Sequence, residues 1–268
     1  MIIIGEKING FIPKTLAAIE AKDAEYIKSI AIGQAEGGAD YLDICAGVAP
    51  ELERDTMKWL IGIAQEACDL PLCLDSTDPE VLLEMMELAN KPGLLNSVSM
   101  ENDKCDKIFP AIADTTWGVV ALTCNNEGIP DDPAVKIVIA RQIVALAREH
   151  GIDDTRLFID PLVTTLATKG DSMHNFTEGI RLIHDEFPKV HFTSGLSNIS
   201  FGMPFRKAIN QQFLCLAMAA GMDSAIMDPM SADMQATLHA TNALLGNDDY
   251  CMEYLQAFRE GLFGKKPA

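Results

Sequence analysis

One pattern, repeated eight times along the 268 residues, constrains the fold more than any other feature: a short apolar run, a few polar residues, then a helical segment. The predicted strands are residues 2–5, 41–44, 72–74, 93–95, 118–122, 157–159, 190–193 and 224–227. The predicted helices include residues 15–36, 54–68, 103–114, 133–150, 173–187, 231–245 and 249–262, with Asp78 and Pro79 opening another. Strands that alternate with helices form parallel sheets. Eight such pairs predict an α/β protein, a single (β/α)8 TIM barrel over residues 1–268.

A doubly wound sheet is the alternative for this alternating pattern. Such sheets usually have fewer strands, and their glycine-rich phosphate turn, G-x-G-x-x-G, is missing from the sequence. The sequence contains no linker, low-complexity tract or second composition regime. We therefore expect one domain.

The composition limits the partners and the compartment. Asp and Glu total 39 against 21 Lys and Arg, and this net charge of -18 argues against nucleic acid or an anionic membrane as the main partner. Apolar stretches stay shorter than the roughly 18–20 residues that span a membrane. Residues 1–6 are too short and too polar for a signal peptide. The 7 cysteines are odd in number and form no C-x-x-C pair, which indicates reduced thiols in a cytoplasm.

Polar side chains follow nearly every predicted strand. They are Glu6, Asp43, Asp75, Asn96, Asn125, Asp160, Asn198 and Asp228. In a barrel, all strand carboxyl ends open onto one mouth, where active sites lie. A single strand-end Asp or Asn is more often a helix cap or turn residue than a ligand. The whole set nevertheless favours a binding site.

Carboxylates and amides suit a neutral heterocycle that is rich in N–H donors. A carboxylate accepts two N–H bonds from an amino-pyrimidinone edge, and an Asn both donates and accepts. The same acids can instead bind a divalent cation, which stays open as an alternative. A zinc site is not expected, because the histidines and cysteines show no zinc-ligand spacing.

Eight stretches, in order over essentially the whole chain, carry a resemblance to a known family. They are Gly5–Gly10, Leu42–Ile44, Leu72–Thr77, Leu95–Ser97, Thr123–Asn125, Gly128–Pro130, Ile159–Leu162 and Gly195–Ser200. Together they resemble the methyltetrahydrofolate:corrinoid methyltransferases of the pterin-binding barrel family. The chain is particularly similar to stand-alone enzymes of acetogen-type one-carbon metabolism, and it shares its pattern with enzymes of glycine betaine or methylamine demethylation.

The resemblance implies methyl transfer between a methylated corrinoid and N5 of tetrahydrofolate. Tetrahydrofolate is then a substrate, a partner protein carries the corrinoid (cobalamin), and the enzyme is a homodimer. Asp75, Asn96 and Asp160 match the pterin-holding positions, and Asn198 matches the Asn that hydrogen-bonds N5. Weaker matches, lining the same pocket, are Asp43, Gly195 and Ser197.

One stretch departs from the family pattern. Residues 201–205 read Phe-Gly-Met-Pro-Phe, where typical members carry a polar, Gln-containing stretch. Fewer polar contacts at the reacting face favour tetrahydrofolate as the methyl acceptor. The adjacent Arg206 and Lys207 are expected either in a solvated first helical turn or on the folate glutamate tail or the partner.

Methyl transfer to or from N5 is a displacement at carbon, and charge develops on N5 as it proceeds. We expect the Asn198 carboxamide to stabilise that charge by about 2–4 kcal/mol, as other preorganised donors do. The sequence shows no general acid beside Asn198. We predict that Cys45, Cys73 and Cys124 pack as small apolar groups.

Two other functions are compatible with the pterin pocket. A non-catalytic folate-binding subunit would keep Asp75, Asn96 and Asp160 but would not need Asn198. A dihydropteroate synthase would need basic residues after the last strand, where the sequence reads Met227, Asp228, Pro229.

Overall fold

The computed structural model describes residues 1–264 and confirms the (β/α)8 barrel. The strands are β1 (Ile2–Asn9), β2 (Tyr41–Cys45), β3 (Leu72–Asp75), β4 (Leu94–Met100), β5 (Gly118–Asn125), β6 (Leu157–Asp160), β7 (His191–Phe192) and β8 (Ser224–Met227). The helices are α1 (Pro13–Glu20), α2 (Ala24–Glu36), α3 (Pro50–Ala67), α4 (Pro79–Met86), α5 (Lys104–Ile112), α6 (Pro133–Glu149), α7 (Ser172–Glu186), α8 (Arg206–Ala219), α9 (Ala232–Leu244) and α10 (Met252–Glu260).

The strands form one parallel sheet in the order β7-β6-β5-β4-β3-β2-β1-β8. The residues that follow β7 close it into a barrel. Ile226 N donates to Ser194 O at 3.0 Å, and Leu196 N donates to Ile226 O at 3.1 Å. The segment from Ser194 to Leu196 is therefore part of the barrel wall, which fixes the loop that follows.

The apolar core has two layers. The larger one lies between the strands and the surrounding helices. A small separate cluster fills the inside of the barrel: Ile4, Cys73, Leu94, Val120 and Phe158. Because side chains alternate between the two faces of a strand, these five residues identify which positions of each strand point inward.

Several predicted elements have different bounds in the structure. The predicted helix 15–36 is wrong, since the chain breaks between α1 and α2. Lys22 there adopts φ 53°, and the Asp23 carboxylate caps α2 by accepting from Tyr26 N. Both β4 and β5 also continue several residues beyond their apolar runs. Helix α4 begins as predicted, with Asp78 as N-cap and Pro79 at its first position.

Strand β1 contains a bulge that shapes the barrel mouth. Its pairing with β2 shifts register between Gly5 and Ile8. The backbone groups of Lys7, in the bulge, bond to buried side chains instead of to a strand. Gln34 Oε1 accepts from Lys7 N at 2.9 Å, and the Thr15 hydroxyl donates to Lys7 O at 3.0 Å. This support holds Glu6 and Lys7 at the mouth.

Among residues 1–264, no helix combines the length and the apolar character needed to cross a bilayer.

Candidate active site at the carboxyl ends of the strands

The inward positions of six strands change from an apolar or aromatic residue to a polar one within a single step of two residues. The pairs are Ile4 and Glu6, Tyr41 and Asp43, Cys73 and Asp75, Leu94 and Asn96, Phe158 and Asp160, and Ile226 and Asp228. The first member of each pair belongs to the cluster inside the barrel or packs against it. The second member therefore lies one layer above, at the mouth. This polar layer is the candidate site.

Strand register places two of the predicted ligands side by side and a third on the neighbouring strand. Asp75 pairs with Asn96 across β3 and β4, and Asp43 pairs with Cys73 across β2 and β3. Asp43 is only 1% exposed, and its Oδ1 has no hydrogen-bond partner among the described residues. An unpaired buried carboxylate oxygen is costly, so this cluster is suited to a ligand that brings hydrogen-bond donors.

The thiols of Cys45 and Cys73 take part in this cluster. Cys45 pairs with Asp75, and Cys73 pairs with Asp43, across β2 and β3. Burial raises the pKa of both thiols well above the ordinary value, so they stay protonated. Both side chains are buried, and Cys73 belongs to the apolar cluster inside the barrel, as predicted.

Burial changes the protonation of the acids in the layer. Desolvation raises the pKa of Asp75 to about 6, and desolvation together with the nearby Asp75 charge raises the pKa of Asp43 well above its usual value. Because burial disfavours the charged form, a ligand that donates N–H bonds to these carboxyls would favour their ionised form.

Asp160 lies at the end of β6 and is held by the turn that follows. Its Oδ1 accepts from Leu162 N at 2.7 Å, and burial raises its pKa to about 7. The side chain of Lys136, on α6, reaches beneath this turn and donates to Leu162 O at 2.9 Å. The Lys136 charge lowers the Asp160 pKa, although less than burial raises it. Sequence inspection missed Lys136, because helical spacing does not show which turn it contacts.

Gly195, Ser197 and Asn198 lie together after β7. Gly195 is in the barrel wall, bridged to Ile226, and Asn198 begins a short 3₁₀ helix, residues 198–200. The exposed Asn198 side chain folds back over Gly195. A Cβ at Gly195 would lie 3.0 Å from Asn198 Nδ2, so the glycine leaves room for the carboxamide. Asn198 thus presents its amide at the mouth, in the loop that follows β7, the strand next to β6 and its Asp160.

Arg206 lies in the exposed first turn of α8, as one of the two predictions had it, and it also supports this loop. Its Nη2 donates to Ser197 O at 2.7 Å, and its Nε donates to Ser200 Oγ at 3.0 Å. Its guanidinium also lies 5.9 Å from the ring centre of Phe201. Lys207 forms an ion pair with Asp233. The departure at residues 201–205 exposes Phe201 and Phe205 at 70% and 79% on this rim.

Glu6 is the main functional candidate that the site prediction left out. It lines a cavity of about 330 Å³ between β1, β8, the loop after β7 and α8, together with Ser197, Arg206, Lys207 and Asp228. Ser197 lies beside Glu6 in this cavity, and burial raises the pKa of Glu6 to about 7. The β1 bulge and its distant support at Gln34 could not be recognised from the sequence.

Asn125 also lies at the end of a strand, but it does not occupy one of the inward positions that form the polar layer. Its Oδ1 accepts from Glu127 N at 2.9 Å, and it forms a bridge with Gly128. It is therefore a turn residue. Among residues 1–264, His, Cys, Asp and Glu side chains form no group of three or more with the geometry to hold a metal ion.

The fold and the polar layer together define a barrel of the pterin-binding class. Residues 14–228 match the family model described as pterin binding enzyme, and the chain belongs to that family. Over 266 residues, 98% of both proteins, it is 51% identical to the methylcorrinoid:tetrahydrofolate methyltransferase of Eubacterium limosum. It is also 32% identical to the methionine synthase of Mycobacterium tuberculosis (strain ATCC 25618 / H37Rv), over 85% of this chain and 20% of the synthase.

Solved structures show the same architecture. The dihydropteroate synthase of Xanthomonas albilineans, in complex with 7,8-dihydropteroate, superposes with a TM-score of 0.64. The superposition covers 92% of this chain and 93% of the synthase, at 22% identity. At this identity the likeness establishes the fold alone.

Proposed function

We propose that this protein transfers a methyl group between a methylated corrinoid and N5 of tetrahydrofolate, with tetrahydrofolate as the physiological acceptor. The proposal is supported by membership of the pterin-binding family and by the near full-length similarity to a methylcorrinoid:tetrahydrofolate methyltransferase. The polar layer at the barrel mouth is the structural observation that carries it.

Asp75, Asn96 and Asp160 would hold the pterin ring. Desolvation raises the pKa of the half-buried Asp75 and of the buried Asp160, and Asn96 is almost fully buried beside Asp75. A pterin supplies several N–H donors along one edge, which matches carboxylates that lack donors. Asp43 pairs with Cys73 in the strand register, and its unpaired Oδ1 would accept a further hydrogen bond from the same ligand.

Asn198 would contact N5 itself. Its exposed carboxamide lies in the loop after β7, and Gly195 and Ser197 form the turn that presents it. A carboxamide can accept from an N5–H group and can donate to an N5 lone pair. It would stabilise charge that develops on N5 during the displacement, and most of the remaining catalysis would come from positioning of the two substrates.

A corrinoid protein would approach from the side of Asn198. The exposed rings of Phe201 and Phe205 give that rim an apolar surface, which supports docking of a partner there.

For a homodimer, support comes from an apolar groove of about 350 Å³ between α7 and α8, which includes Met173, Ile209 and Leu216. Sedimentation at micromolar protein would test the dimer.

All seven cysteines are free, which supports placing the protein in the cytoplasm.

The test is spectroscopic and anaerobic. The protein is mixed with methylcob(III)alamin and tetrahydrofolate, and formation of cob(I)alamin is followed; the opposite direction starts from cob(I)alamin and methyltetrahydrofolate. We expect turnover in both directions, faster towards methyltetrahydrofolate. If the protein binds tetrahydrofolate in calorimetry but transfers no methyl group, even with its own corrinoid protein supplied, it is a folate-binding subunit and the proposed activity is wrong.

A further inference from the structure

Methyl transfer to tetrahydrofolate releases a proton, and the side chain assigned to N5 does not accept it. N5 of tetrahydrofolate carries one hydrogen before the reaction and must lose it once the methyl group is attached. Asn198 can orient N5, but a carboxamide does not take up a proton at neutral pH. A group with a pKa near the working pH is best suited to the task.

We propose that Glu6 is the proton acceptor for N5 in the direction of methyltetrahydrofolate, and the proton donor in the reverse direction. This inference rests on the proposed function. In the forward step, the N5 lone pair forms the new N–C bond and the Co–C bond breaks with its electron pair left on cobalt. The N5–H bond then breaks, and its proton forms an O–H bond on the Glu6 carboxylate.

The geometry around Glu6 supports this role. Glu6 is an inward residue of β1, one layer above Ile4, and it faces the cavity beside the loop after β7. Ser197 lines the same cavity as Glu6 and directly precedes Asn198 in the chain. Glu6 and the carboxamide assigned to N5 therefore both lie next to Ser197, at a cavity that opens to water.

The protein holds Glu6 there with a specific structure. The bulge of β1 places Glu6 and Lys7 together, and the buried Gln34 and Thr15 side chains satisfy the backbone of Lys7. Gly5 has no side chain, and a Cβ there would lie 2.5 Å from Gln34 Oε1. Gln34, Thr15 and Gly5 together allow and support the β1 bulge, and the bulge fixes the position of Glu6.

The charges that face Glu6 come from three other elements and from β1 itself. Asp228 after β8 and Asp43 of β2 are acidic, whereas Arg206 and Lys207 of α8 and Lys7 of β1 are basic. Burial, assisted by Asp228, raises the Glu6 pKa to about 7, against the opposing effect of Lys7 and Arg206. A carboxyl in this range can both accept and release a proton at neutral pH.

The test compares Glu6→Gln with the wild type under saturating substrates, by stopped-flow in both directions from pH 5.5 to 8.5. In the wild type, the forward rate should rise with pH through about 7, because Glu6 must be ionised. The reverse rate should fall through the same range, because Glu6 must be protonated. Glu6→Gln should lower both rates about 100-fold and remove the dependence of both rates on pH. Its affinity for tetrahydrofolate should stay within threefold of that of the wild type.

Asp228→Asn is the matched variant at the same cavity. Removal of the Asp228 charge should lower the Glu6 pKa, so the pH dependence of the forward and reverse rates should shift to lower pH. A merely structural role for Glu6 would not produce this shift. If Glu6→Gln fails to fold, the Asp228→Asn profile decides the question.

The inference is overturned if Glu6→Gln keeps the wild-type rates and their dependence on pH. It is also overturned if Asp228→Asn leaves the pH dependence of both rates unchanged. A wild-type protein with no transfer in either direction would instead overturn the proposed function.

Discussion

At the level of single residues, the role assigned to Asn198 is the most direct to test. Asn198→Ala removes both the donor and the acceptor at N5, so methyl transfer at saturation should fall about 100-fold, as for the loss of one preorganised donor. The side chain is exposed and makes no described hydrogen bond to the protein, so folding should not change. Single-turnover rates with tetrahydrofolate affinity measured in parallel would check this; unchanged turnover with bound folate would rule the role out.

Lys136 supports Asp160 from below, and its loss should change folate binding in a pH-dependent way. Lys136→Met removes the bond to Leu162 O and the charge that lowers the Asp160 pKa. The Asp160 pKa should then rise above about 7, so less of the carboxylate is ionised at neutral pH. Tetrahydrofolate affinity should fall several-fold at pH 7 and recover towards pH 8.5.

Calorimetry at three pH values from 6.5 to 8.5 would measure this effect. Lys28→Met, which breaks a surface ion pair with Glu66 on the far side of α2, is the matched control and should leave affinity unchanged. Equal loss of affinity at every pH would show that Lys136 acts on the turn without acting on the ionisation of Asp160.

At the level of elements, sequence alone gives the order of all eight strands and the polar residues after them. Asp75, Asn96 and Asp160 could be identified because each directly follows an apolar run. The β1 bulge could not, since it depends on Gln34, 27 residues away in the chain, which meets β1 only after folding.

Gly5 tests the bulge as an element. A Cβ at Gly5 would meet Gln34 Oε1 at 2.5 Å, so Gly5→Ala must displace the side chain that bonds Lys7 N. We expect destabilisation of about 1–3 kcal/mol, the usual cost of overpacking. Gly62→Ala is the matched control: it lies on the exposed face of α3 with open space around its Cβ. It should be neutral or stabilising by about 0.5–1 kcal/mol.

Urea denaturation of both variants would measure these free energies of unfolding. Gly5→Ala should also reduce the methyl-transfer rate, because Glu6 follows directly in the bulge. Equal stabilities for the two variants would mean that Gln34 can move aside at no cost, and that the bulge does not depend on it.

At the level of the whole molecule, ionisation of the acids at the barrel mouth destabilises the folded state. Burial raises the pKa of Glu6 and Asp160 to about 7 and that of Asp75 to about 6, and it raises Asp43 as well. In the unfolded chain these groups ionise near pH 4. Between pH 8 and pH 6 the folded state therefore binds more protons than the unfolded state. Its stability should increase as the pH falls through this range.

Each group with a folded pKa of about 7 contributes about 1 kcal/mol over this interval, so the unliganded protein should melt several degrees higher at pH 6 than at pH 8. Burial lowers the pKa of His239, which gives the opposite slope, but for one group only. Differential scanning fluorimetry would measure the trend, and the Glu6→Gln, Asp160→Asn double variant should flatten it. Saturating tetrahydrofolate should flatten it too, because donors to Asp75 and Asp160 favour their ionised forms. A wild-type melting temperature that is constant or lower at pH 6 would show that these carboxyls are already ionised in the empty barrel.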